Sequence, residues 1–176
     1  EDFDWVFNIV FYGVLYGTKA FLPFLKERPD AHIVNISSVN GFYSNPMNGP
    51  YACAKHAVKA LNQTLQQELR GTSVNITSVH PGGVKTNIAR NARSYDSKEL
   101  QKEKVERFDQ IAGTSAEKAA RIIIKGILKN RKRQLVGFDA TVIDILCRLF
   151  PQKFSDVIGY LFERGIQKLK TNNNIS

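Results

Sequence analysis

Phe3, Phe7, Val10, Phe11, Val14, Leu15, Thr18 and Leu22 recur three and four residues apart, the period that lines one side of an α-helix. Residues 3–28 are therefore predicted as a long helix, ended by Arg28-Pro29-Asp30. The rhythm then changes. His32-Ile33-Val34-Asn35-Ile36-Ser37 is a short, largely apolar run that fits a strand buried on both faces, as in a parallel sheet. A loop rich in Gly, Asn and Pro is expected from Asn40 to Pro50. A second long helix is predicted over residues 51–70, stopping near Gly71. Ser73-Val74-Asn75-Ile76-Thr77-Ser78-Val79 is the second predicted strand. Residues 87–113 are polar, charged and weakly periodic, which predicts a flexible loop with a short helix inside it. Residues 115–130 are helical in pattern, with Ser115 and Lys118 giving only a partial capping signal. Arg133 to Gly137 is a third short strand, and amphipathic segments at 139–150 and 154–170 are separated by Pro151. Asn172-Asn173-Asn174 is expected to fray. Strand and helix alternate, so the fold class is α/β with a parallel sheet. There is no internal repeat and no interdomain linker.

Composition narrows the class without changing this picture. The 176 residues, 43% of them hydrophobic, suit one ordinary globular domain. No run is expected to be long and apolar enough to span a bilayer. Cys53 and Cys147 make neither a disulfide framework nor a zinc spacing, which favours a reducing, cytoplasmic setting and no metal. The net charge is +9, and much of it lies in Lys118, Arg121, Lys125, Lys129, Arg131, Lys132 and Arg133. Without interleaved aromatics or a nucleic-acid motif, this stripe is read as a solvated helix face followed by a charged turn rather than a nucleic-acid site. Contact with a membrane surface, using the basic stripe and the C-terminal helices, is not favoured.

The candidate chemistry lies at Ser38, Tyr51 and Lys55. Tyr51 and Lys55 are four residues apart, one turn from each other on one face of a helix. An ammonium so placed is expected to draw the phenol below its ordinary pKa near 10, into the range where it gives and takes protons. Ser38, thirteen residues earlier, could hold a substrate oxygen beside that phenol from the end of the first strand. The plainer alternative is an ordinary surface Tyr–Lys pair. His56 and His80 fit no metal spacing, and His80 is read as a structural residue before a turn.

In their order and spacing, Asn35-Ile36-Ser37-Ser38, Gly41, Tyr51-x-x-x-Lys55 and Pro81-Gly82-Gly83-Val84-Lys85-Thr86 make the chain resemble the short-chain dehydrogenases/reductases. The resemblance covers residues from about 3 to at least 137. It implies a parallel-sheet, Rossmann-like (doubly wound) fold, incomplete and retaining the last three strands and their helices. Residues 1–176 are then one C-terminal portion of such a domain, with a core at about 3–137, a helical extension at 138–170 and a frayed tail at 171–176. The family's glycine-rich, pyrophosphate-cradling turn and its N-A-G strand end have no match here, so the chain is expected to be a fragment or a truncated product. Its first strand would then lack a neighbour, and the chain alone is expected to be poorly stable and to associate.

By the same resemblance, hydride passes between NAD or NADP and an alcohol or carbonyl carbon. Tyr51 would be the general acid/base. Lys55 would tune it and hold the nicotinamide ribose. Ser38 would bind the substrate oxygen. Pro81, Gly82, Val84 and Thr86 would wall the nicotinamide, with Gly82 and Gly83 leaving backbone room. Val39, Phe42, Tyr43, Met47 and Asn48 are the expected pocket lining, which favours an apolar alcohol or ketone. One position departs from the family: Val10 stands where an asparagine usually supports a proton relay from the lysine. Asn8 is close by but turned about 200° around a regular helix. A one-turn distortion could bring it back, though nothing in the sequence demands one. Helices 3–28 and 51–70 are the surfaces through which this family commonly pairs subunits, so a homo-oligomer is expected. The alternative reading is a non-catalytic relative acting as a binding or scaffold protein.

Overall fold

The computed structural model describes residues 2–88, 90–91 and 97–173. Three parallel strands form the central sheet: β1 (Ala31–Ile36), β2 (Val74–Pro81) and β5 (Arg133–Val136), in the order β1-β2-β5. Ala31 lies opposite Val74 and Ile36 opposite Val79, while Ser78 faces Arg133. A second parallel pair, β3 (Val84–Lys85) with β4 (Thr114–Ser115), is only two residues long on each side. The helices are α1 (Asp2–Phe7), α2 (Gly13–Lys26), α3 (Gly49–Glu68), α4 (Lys98–Ile111), α5 (Ala116–Leu128), α6 (Phe138–Leu149) and α7 (Pro151–Asn173).

The two-residue period of a strand sends Ala31 and Ile33 to one face of the sheet and Val34 to the other. On the first face Ala31, Ile33, Val74 and Ile76 meet Leu61 and Leu65 of α3, Leu69 just beyond it, and Leu22 and Leu25 of α2. On the second, Val79 and Val136 pack on Ala119, with Val34, Val84, Ile122 and Ile123 around them. Helices cover both faces, so the sheet is a Rossmann-like layer of three strands, as the alternating pattern predicts. β1 is an edge of that sheet among the described residues. Ile36 at its end stays 40% exposed.

Four expectations need correction. The helix expected over 3–28 is not uniform: Asn8–Tyr12 forms a π-helical turn between α1 and α2, in which the Gly13 amide reaches back to the Asn8 carbonyl. The run Asp2–Lys26 is long and apolar enough, by length and composition, to cross a membrane, although no such run was expected. Leu22 and Leu25 pack on the sheet, but only 6% of the apolar window is buried. Within 87–113 the helix is not short: α4 covers fourteen residues, started by Ser97, whose hydroxyl accepts from the Leu100 amide. Residues 89 and 92–96 of that stretch lie outside the described residues. Finally, α7 runs on through Asn173, where a tail was expected from 171. No proline or glycine interrupts its last turns, and the remaining tail residues, 174–176, lie outside the described residues.

Candidate active site

The site is built where β1 ends against the start of α3. Pro50 sits in the first turn of α3, where its missing amide costs nothing. The helix then presents Tyr51 and Lys55 one turn apart, both half-buried. Beyond β1 the Ser37 amide extends the ladder to the Val79 carbonyl at 2.8 Å. The Ser37 hydroxyl donates to the Lys55 carbonyl, also at 2.8 Å, so strand end and helix are stitched at the candidate lysine. Ser38 is extended and leads into a 3₁₀ turn, Val39–Gly41. Its Oγ accepts from the Asn40 amide at 3.1 Å. Gly41 must be glycine because a Cβ there would lie 2.7 Å from Ser37 Oγ and 3.0 Å from the Lys55 carbonyl oxygen.

These constraints bring the three candidate side chains together. The Ser38 hydroxyl stands near enough to the Tyr51 phenol to favour its ionised form. The Lys55 ammonium lies 5.6 Å from the Tyr51 ring centroid and donates to the Ile36 carbonyl at 2.9 Å. The surface-pair alternative is therefore not what the fold builds. The expected electrostatics are reversed, however. Burial raises the Tyr51 pKa above 10, and the Ser38 hydroxyl only partly opposes this. Burial also lowers Lys55 from 10.5 to about 8. Desolvation disfavours both charged forms, and the ammonium reaches toward a strand carbonyl and the ring rather than the phenol oxygen. Tyr51 is thus a neutral phenol at pH 7, poised to donate.

The turn after β2 is set by the chain itself. The Gly83 amide donates to Asp139 Oδ2 at 2.6 Å. A Cβ on Gly82 would lie 2.0 Å from that carboxylate, and one on Gly83 would lie 2.9 Å from the Ala112 Cα. The room expected beside these glycines is therefore occupied by Asp139 and Ala112. Pro81 and Val84 are half-buried, and Val84 packs in the second core cluster. Thr86 is exposed, its Oγ accepting from the Ile88 amide at 3.4 Å.

The five expected lining residues do not share one environment. Val39 is buried. Phe42 meets His80 in a tilted ring pair, 4.4 Å between centroids, beneath the Lys59 ammonium and the Arg133 guanidinium. Tyr43 meets Phe154 of α7 edge-on at 5.3 Å, which brings the C-terminal helix over the 40–50 loop. Met47 is 91% exposed, at φ 61. Asn48 precedes the first residue of α3. A cavity of about 290 Å3 opens beside Phe42, His80, Lys59, Arg133 and Asp144, and neither Ser38 nor Tyr51 lines it.

Sequence reasoning missed Asp139, and with it Asn35, Asn62 and Ser78, which form a buried polar chain leading to His80. One signal was available. Ser78 and His80 are polar residues two apart in a strand otherwise fit for a core, so they share a face, and that face meets α3, where Asn62 interrupts an apolar row.

Comparison with known proteins gives the family. A family model described as short chain dehydrogenase matches residues 1–97. The Mycobacterium tuberculosis protein SadH is 38% identical over 162 residues, which are 90% of this chain and 58% of that protein. Dehydrogenase/reductase SDR family member 7B of Rattus norvegicus is 31% identical over 173 residues, 96% of this chain and 50% of that one. A short chain dehydrogenase/reductase from Burkholderia phymatum, solved in complex with NAD, superposes with a TM-score of 0.67 at 30% identity, covering 76% of this chain and 53% of that one. The chain thus spans between half and three fifths of the length of these relatives.

Proposed function

Because this chain belongs to the short-chain dehydrogenase family, we propose that it supplies the acid/base and substrate-orienting part of an oxidoreductase that interconverts an alcohol and a carbonyl with NAD or NADP. The observation that carries this reading is the gathering of Ser38, Tyr51 and Lys55 where β1 meets α3, with the Lys55 ammonium 5.6 Å from the Tyr51 ring centroid. The nicotinamide, when bound, supplies or accepts the hydride. The chain's residues do the rest. The Ser38 hydroxyl holds the substrate oxygen. Tyr51 donates its proton to that oxygen during reduction and takes it back during oxidation. A phenol that is neutral at pH 7 favours the donating role, hence carbonyl reduction.

Lys55 fits the ribose end of such a cofactor. An ammonium has three donors, one of them is spent on the Ile36 carbonyl, and no carboxylate pairs with it among the described residues. Tyr51, Pro81, Val84 and Thr86 complete the cofactor side. Val39 and Tyr43 would give the substrate side its apolar character. A homo-oligomer through α1–α2 and α3, working in the cytoplasm, accompanies this reading.

A second reading, a non-catalytic binding or scaffold relative, draws on the relay position. Val10 is half-buried there while Asn8 stays exposed, so the π turn does not carry the asparagine inward.

The test is nicotinamide absorbance in the full-length protein with a panel of apolar ketones and alcohols. Tyr51→Phe should lose roughly 10²–10⁴-fold in rate, the range of a positioned proton donor. Equal turnover by parent and variant contradicts the assignment, and a parent inert to every substrate supports the scaffold reading.

A further inference from the structure

Behind Ser38 runs a chain of buried hydrogen bonds that the proposed reaction does not use. Asn35 Nδ2 donates to Asn62 Oδ1 at 2.8 Å, and its other contact, at 3.3 Å, is Thr18 Oγ1 of α2. Asn62 Nδ2 donates to Ser78 Oγ at 3.0 Å. Ser78 Oγ lies 2.9 Å from His80 Nε2. His80 Nδ1 lies 3.2 Å from the Ser38 carbonyl oxygen. None of Asn35, Asn62, Ser78 and His80 is more than 8% exposed.

The directions can be worked out from the far end. A carbonyl only accepts, so His80 carries its proton on Nδ1. Nε2 of a neutral imidazole is then an acceptor, so the Ser78 hydroxyl donates to it and its oxygen accepts from Asn62. Each donor along the series points toward Ser38. The Ser38 carbonyl also accepts from the Gly41 amide at 3.0 Å, so its peptide is held by two donors while Asn40 holds its side chain. The groups facing His80 are Ser78 from β2, Lys59 from α3, Arg133 from β5 and Asp144 from α6, with the Phe42 ring tilted against it. Arg133 and Asp144 are ion-paired with each other, so Asp144 offsets the cations facing His80 only in part.

We infer that His80, oriented by Asn35, Asn62 and Ser78, is a positioning residue that fixes Ser38 against the Tyr51 hydroxyl. The inference rests on the proposed function for its kinetic consequences but not for its tautomer. Fixing Ser38 matters because its hydroxyl both orients the substrate oxygen and holds down the pKa of Tyr51.

The test uses the full-length protein. In ¹⁵N-edited spectra of the imidazoles, His80 should be the Nδ1–H tautomer and should remain neutral at pH 5.5. Ser78→Ala should lower kcat/KM for the carbonyl substrate about tenfold or more, as loss of second-layer orientation commonly does. The KM for the nicotinamide should stay within about twofold, since no cofactor contact is touched. The limb of the pH–rate profile that reports Tyr51 should move upward, because a looser Ser38 no longer restrains that pKa. His80→Asn retains a donor near the Nδ1 position and should recover most of the rate, whereas His80→Leu should not. An Nε2–H tautomer, titration of His80 near 6.5, or an unmoved Tyr51 limb in Ser78→Ala overturns the inference. If Tyr51→Phe is fully active while the tautomer is as stated, the proposed function fails and the hydrogen-bond chain stands.

Discussion

Lys55 shows what helical spacing reveals about a residue and what it hides. Four-residue spacing placed its ammonium beside Tyr51, and the structure puts it there. The direction of the tuning depends on burial, which no spacing records. With a pKa near 8 in the fold against 10.5 otherwise, Lys55 binds its proton less tightly folded than unfolded. Stability should therefore rise with pH between about 8 and 10.5, and the buried ammonium should cost stability below that window. Lys55→Met is expected to abolish turnover yet raise the melting temperature at pH 7 by a few degrees, about 1 kcal/mol after allowing for partial exposure. A lower melting temperature would contradict that. His80 works at the acid end. Burial lowers it from 6.5 to about 4, so the unfolded state takes the proton first as pH falls. Stability should drop from about pH 6.5 to 4, by up to roughly 3 kcal/mol. Chemical denaturation of His80→Asn across that range should show a flatter acid limb than the parent.

At the scale of elements, the strongly periodic segments were legible and the site's scaffolding was only partly so. The strands 31–36 and 74–81 and the helix 49–68 follow from runs and periods that tertiary packing reinforces rather than overrides. The β3–β4 pair was not legible, because two residues carry no alternation. The π turn at Asn8–Tyr12 has no composition of its own, and it lies where α1 and the turn itself pack against α3. Gly41 was quoted as part of a motif, but its reason, the close approach to the Lys55 carbonyl, is a packing fact. Gly41→Ala should push the β1 end away from α3, costing about 1–3 kcal/mol and lowering turnover together with stability. Thermal melts alongside rates check this, and loss of rate with an unchanged melt would mean the glycine serves the substrate instead.

Across the whole molecule, a +9 charge coexists with a large exposed apolar surface. Trp5, Ile9, Tyr16, Phe21 and Phe24 are all more than 40% exposed on the α1–α2 run, and Leu149 and Leu161 are so on α6 and α7. Patches of this kind mark surfaces that bind something, and the α1–α2 run fits the expected pairing of subunits. Sedimentation should find the parent associated and Phe21→Asp with Phe24→Asp shifted toward monomer; an unshifted distribution would place the contact elsewhere. Composition made the charge legible, but which apolar residues stay outside depends on how much of each helix the sheet can cover. The central claim remains local: the proposed proton donor is a half-buried phenol whose pKa one serine hydroxyl holds down. Its most direct measurement is the ionisation of Tyr51, followed by ¹³C shifts of ζ-labelled tyrosine in the parent and in Ser38→Ala. Tyr51 should titrate above the ordinary value near 10, and higher still when the serine is removed. A Tyr51 that ionises below 10, or one indifferent to Ser38, would contradict the account.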